Sequence, residues 1–167
     1  KEAIKHRQDA IEPTREADFA ARRATATTRA DSILEASTPC ADNHRYLRGK
    51  KVPALGEMRL GKHAELLLPV KDSSGNLLSL QRIFNNGRKR FLTGGKDFGG
   101  YYLIQGKPEK PFVICEGYAH GASIHLASGS TVYAALSAST LSYIASIVRW
   151  EHPDPTILVC PANDCRG

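Results

Sequence analysis

No run of apolar residues in this chain of 167 is long enough to span a bilayer, and its hydrophobic content of 41% is ordinary for a globular domain. Cysteine is scarce. Cys40, Cys115, Cys160 and Cys165 form no Cys-x-x-Cys pair, so a structural zinc site is not expected within the chain. Cys115 and Cys160 close short apolar runs and read as small core residues, a usage that fits a reducing, cytoplasmic compartment. The opening residues are polar and helical in character, which is not the pattern of a secretory signal. There is no Walker lysine pattern, which excludes a nucleotide-hydrolase phosphate loop, and no Gly-x-Ser-x-Gly, which argues against an α/β-hydrolase. His120 and His125 are poorly spaced to share a metal ion on one helix face.

The chain carries a net charge of +6, which favours a polyanionic partner without specifying one. Its residues fall into three stretches. Residues 1–43 are rich in Ala, Arg and Glu, with apolar residues too sparse for a wide buried face. One or two helices are expected there, the second from about Thr14 to Glu35. Residues 44–110 form a mixed, basic stretch: a short helix at His44–Gly49, then strands at Glu65–Val70, Leu77–Phe84, Arg88–Leu92 and Tyr101–Ile104, read as an antiparallel meander. A glycine-rich loop, Thr93–Gly100, could let backbone amides approach a phosphate. Residues 111–167 alternate strand, helix, strand, helix and strand, which predicts a parallel sheet with right-handed crossovers.

Two positions stand out in the last stretch. Phe112-Val113-Ile114-Cys115 delivers Glu116 to the carboxyl end of a buried strand, where open α/β sheets place their ligands, and Gly117 allows a sharp turn. A later run, Ile157-Leu158-Val159-Cys160, leads to Asn163-Asp164. Two carboxylates at neighbouring strand ends suit a divalent cation and a phosphate-bearing substrate. Glu116 could equally be a carboxylate stabilised by the amino end of the following helix, and Asn163-Asp164 could be turn chemistry. Arg82, Arg88, Lys89, Arg90 and Lys96 cluster between turns with Gln81 and Phe91 among them. On one face they would make a stacking and phosphate-tracking surface, and scattered they would be a solvated hairpin guarded against edge pairing.

The strand ending in Glu116-Gly117-Tyr118-Ala119, the later strand closing on Asn163-Asp164 and the upstream Leu80-Gln81-Arg82-Ile83 to Lys89-Arg90-Phe91-Leu92 hairpin resemble the Toprim-type DNA primases of conjugative plasmids and prophages. The resemblance runs from about His44 to the last residue. It implies an α/β fold, with a Toprim-like parallel sheet flanked by helices and preceded by helices and an antiparallel β meander. It implies magnesium, or manganese in its place, held by Glu116 and Asp164 as catalytic and metal-binding residues. Arg82, Arg88, Lys89, Arg90 and Lys96 would then contact a single-stranded DNA template or nucleotides. A helicase domain or separate helicase is a further partner such a primase would use, and a membrane is not. The implied reaction is primer synthesis by template-directed addition of ribonucleotides.

The family pattern reads approximately Ala-Asp-Asn-Asp where this chain has Pro161-Ala162-Asn163-Asp164, and Ser137 occupies a further acidic position. These departures keep two rival readings open, a degenerate Toprim module that binds DNA or a replication partner without polymerising and a Toprim nuclease. A complete Toprim unit would continue past Gly167, so the chain is expected to be a fragment that is inactive alone.

Overall fold

Leu66, Leu68, Val70 and Ile83 alternate along their strands with residues facing the other way, and this period of two builds the first sheet. The computed structural model describes residues 2–92 and 99–161, with the backbone alone for residues 2–17 and 19. Five antiparallel strands, β1 (Thr38–Pro39), β2 (Arg59–Leu60), β3 (Leu66–Lys71), β4 (Leu77–Ile83) and β5 (Lys89–Phe91), lie side by side in chain order. Before them, α1 (Glu2–Glu35) is one uninterrupted helix. In its last turns Ala26 and Ala30 are buried, and Ala30, Ile33 and Leu34 lie over Leu77 and Leu80 of the first sheet and Leu92 just after it. α2 (Arg45–Lys50) starts on His44, whose Nδ1 accepts from the Tyr46 amide, and ends at Lys51 with φ +55 rather than at Gly49.

The second sheet has the order β6-β8-β7-β9, from β6 (Tyr102–Ile104), β7 (Phe112–Cys115), β8 (Thr131–Ala134) and β9 (Ile157–Cys160). β7 is parallel to both neighbours, and β6 runs antiparallel to β8. The expectation of an α/β fold with helix-flanked parallel strands holds. One strand moves: Tyr101–Ile104 was expected in the meander, yet β6 closes the edge of the second sheet. Its pairing sets Tyr102 opposite Ala134 and Ile104 opposite Val132, which buries both side chains. A short apolar strand carries no mark of which sheet it will join, and burial decides it.

α3 (Tyr118–Ser128) and α4 (Leu141–Glu151) cover opposite faces of the second sheet. Val113, Cys115, Val132 and Ala134 face α3, α2 and the inner face of the first sheet in one core. Ile114, Tyr133 and Ala135 face Leu141, Ile144 and Val148 of α4. α3 sits close because residue 121 is glycine; a β-carbon there would meet Val132 Cγ1 at 2.8 Å and Cys115 Sγ at 2.9 Å.

Two tyrosine hydroxyls join the halves. Tyr118 Oη donates to the Pro53 carbonyl at 2.6 Å and accepts from the Leu55 amide at 2.8 Å. Tyr102 Oη donates to the Leu55 carbonyl at 2.5 Å, and the two rings meet edge to face with centroids 5.7 Å apart. Tyr118→Phe leaves the ring's packing and orphans one amide and one carbonyl. We expect a loss of about 2 kcal/mol in urea unfolding, from two hydrogen bonds worth about 1 kcal/mol each. A variant as stable as the parent would show that these bonds do not hold the halves together.

Candidate functional site

The loops leaving β7 and β8 diverge, one to α3 on one face of the sheet and one to α4 on the other. Adjacent parallel strands whose connections part in this way leave a crevice at their carboxyl ends. Here it is a cleft of about 730 Å³ lined by Glu116 from β7, Leu136, Ser137 and Ala138 after β8, and Gln81, Lys89, Arg90, Phe91 and Leu92 from the β4–β5 hairpin. The first sheet thus supplies one wall of the second sheet's crevice.

Glu116 follows the strand end and is half-buried. Lys89 Nζ lies 3.4 Å from where a β-carbon on Gly117 would stand, so the ammonium group reaches the strand-to-helix turn beside Glu116. Gln81 is buried and its Nε2 donates to the Leu136 carbonyl at 3.3 Å, a bond from the first sheet to the β8 loop. Leu136 has φ +62, in the left-handed region that branched side chains rarely adopt, and the turn after it is held by Thr140 Oγ1 donating to the Ala135 and Ser137 carbonyls. Ser137 Oγ pairs with Ser139 Oγ at 2.9 Å. The buried Cys115 thiol is pushed up to about 12 by burial, which leaves it unreactive and structural.

The basic residues of the hairpin divide between two faces. Gln81 pairs with Phe91, Arg82 with Arg90 and Ile83 with Lys89. Directly opposed residues share a face, so Lys89 and Phe91 stand with Gln81 and Ile83 on the crevice side, while Arg82 and Arg90 are on the α1 side and Arg90, on the edge strand, only borders the crevice. The single face imagined for the five cations does not form, because the strand alternates its side chains. Arg82 donates to Glu65 Oε1 at 2.6 Å, and both Arg82 and Arg88 lie over the Phe84 ring at 5.2 Å. Lys96 lies outside the described residues.

Of the expected carboxylate pair, Glu116 lines the crevice and Asp164 lies outside the described residues, as do Ala162 and Asn163. The strand ends that precede the two are hydrogen-bonded neighbours, with Cys115 registered against Cys160. Among the described residues no three metal-ligating side chains converge. One carboxylate beside a lysine does not make a magnesium site, so the described residues do not complete one.

Sequence reading missed Gln81 as a crevice residue, the left-handed Leu136 and the pairing of Arg82 with Glu65. The alternation in the Leu80–Ile83 run could have separated Arg82 from Lys89. The other two have no sequence signal.

No family model matches the chain, and no solved structure matches it. Among curated proteins it is similar to DNA primase TraC of Escherichia coli, 27% identical over 168 aligned residues that cover 97% of this chain and 11% of that protein. A second Escherichia coli protein of the same name is 25% identical over 131 residues, covering 75% of this chain and 12% of its own length. The chain therefore spans roughly a ninth of the relatives it matches, and the likeness relates it to primase-type proteins. Among the described residues no helix is long and apolar enough to cross a membrane.

The buried ion pair makes a pH prediction. Burial of Glu65 works to raise its carboxyl pKa, but hydrogen bonds from its own backbone amide and from Arg82, the Arg82 charge and the His63 amide outweigh it and hold the pKa below the usual 4.5. A depressed folded pKa contributes stability that is present above the unfolded value and lost as pH falls through the folded one. Arg82→Ala should cost about 3 kcal/mol at neutral pH, because it strands a buried charge. It should also flatten the acid limb of the stability profile below pH 4.5. Equal acid sensitivity in parent and variant would remove Glu65 as the titrating group.

Proposed function

We propose that this chain is the strand- and nucleotide-handling part of a primase-type protein of plasmid or phage replication, built on a Toprim-like sheet. The observation that carries the reading is the crevice between β7 and β8, where Glu116 meets Lys89 from the other sheet and Arg90 borders the cleft. An acidic group beside cations suits a phosphate-bearing ligand held at the strand ends. The similarity to DNA primase TraC across nearly the whole chain supports the same reading. In it, Lys89 holds a phosphate in the crevice, and Phe84 with Arg88 over its ring offers a base a surface on the outer face. Magnesium shared by Glu116 and Asp164 would supply charge neutralisation at the phosphate. A cytoplasmic setting and a helicase as neighbour belong to the same proposal.

A second reading, binding without polymerisation, is favoured by one observation. The β8 side of the crevice presents Ser137, hydrogen-bonded to Ser139, where the resembled family has an acid. This arrangement leaves Glu116 as the carboxylate among the described crevice residues.

Fluorescence anisotropy with labelled oligothymidylate tests the main reading. The chain should bind with a log–log salt slope of about −0.7 for each neutralised phosphate. Lys89→Glu should weaken binding about tenfold, which corresponds to about 1.4 kcal/mol. Affinity unchanged in that variant would remove the crevice from the interface. Manganese titration followed by electron paramagnetic resonance should show one weak site, absent from Glu116→Gln and from Asp164→Asn. Identical titrations in all three proteins would end the metal assignment.

A primer-extension assay with labelled ribonucleotides separates the two readings. We expect no product from this chain, and the appearance of product in Ala162→Asp would identify the missing acid as the cause. Oligonucleotide synthesis by the unaltered chain would overturn the second reading.

A further inference from the structure

The turn between β4 and β5 and the short helix α2 enclose a second trough, of about 530 Å³, on the crevice side of the hairpin. Arg45 and Lys50 line it from α2, Asn85 and Asn86 from the turn, and Lys89 from β5. No carboxylate is among its lining residues, in contrast to the cleft beside α1, where Glu65 stands among the cations. Tyr46 also lines the trough; it is 6% exposed, and its hydroxyl is buried with no hydrogen-bond partner. The ring of Tyr46 lies 4.0 Å from the position of a β-carbon on Gly87, so the turn closes directly over it.

Lys89 lines both this trough and the Glu116 crevice, so the two adjoin at its side chain. Both are open to solvent along their length and not closed cavities, which admits a strand from the side. We propose that the trough is a phosphate subsite for single-stranded DNA, so that a strand lying in the Glu116 crevice continues across Lys89 to Arg45 and Lys50. This rests on the proposed function and adds the path and polarity-independent anchor points of the strand. The rule that strand binding is driven by phosphate neutralisation and counterion release gives it a quantitative signature.

The experiment compares oligothymidylate binding by the whole chain across a salt series. Arg45 and Lys50 are exposed, so Arg45→Ala/Lys50→Ala should fold as the parent does. Its log–log salt slope should be shallower by about 1.4, the loss of two phosphates. Lys107→Ala/Lys110→Ala, exposed cations on the loop before β7, should keep the parent slope. A parent-like slope in the α2 double variant, with binding still lost in Lys89→Glu, would overturn the subsite and leave the crevice reading standing. No binding of oligothymidylate by the parent would end the crevice reading and the subsite with it. A parallel titration with a nucleoside triphosphate separates the sources of phosphate. If the α2 variant loses triphosphate binding and keeps oligonucleotide binding, the trough holds a free nucleotide and the strand path is wrong.

Discussion

The Tyr118 hydroxyl ties the segment after α2 to the first turn of α3 through one donated and one accepted hydrogen bond. Everything at the crevice depends on that junction. Tyr102 binds the same segment from β6, and the core around both rings draws side chains from α2, both sheets and α3. With the halves docked in this way, the β4–β5 hairpin stands over the carboxyl ends of β7 and β8. Lys89 arrives at Gly117 and Gln81 reaches the Leu136 carbonyl as consequences of the docking. Neither sheet has a complete site alone: one carries the carboxylate, the other the cations.

The same docking gives the two faces of the first sheet different work. The inner face packs on α2 and α3 and presents Lys89 and Phe91 to the crevice. The outer face receives the end of α1 and buries Glu65 against Arg82. A guanidinium committed to a buried carboxylate is held for structure, and Arg82 is held in this way on the outer face. Lys89 is the member of the cluster that the fold sets between Glu116 and the α2 trough.

Strain and unsatisfied polarity gather in this region. Leu136 keeps a left-handed backbone at the crevice mouth, and Tyr46, which borders the trough, buries a hydroxyl with no partner. Such departures are expected where a ligand or a functional loop, rather than packing, sets the local structure.

The sequence by itself determined the helix and strand order of the last third, because buried parallel strands read as unbroken apolar runs and their helices as longer patterned segments. It also placed Glu116 at a strand end, since a charged residue directly after Phe112–Cys115 cannot continue a buried strand. It did not determine that β6 leaves the meander or that Gln81 faces Leu136. Those outcomes depend on which sheet a strand joins and on register, and a one-residue change of register exchanges the faces of every side chain. Contacts between residues as distant as Gln81 and Leu136 or Leu55 and Tyr118 leave no local pattern, because the free energy that selects them is the burial of a shared core, which exists only once the chain has folded.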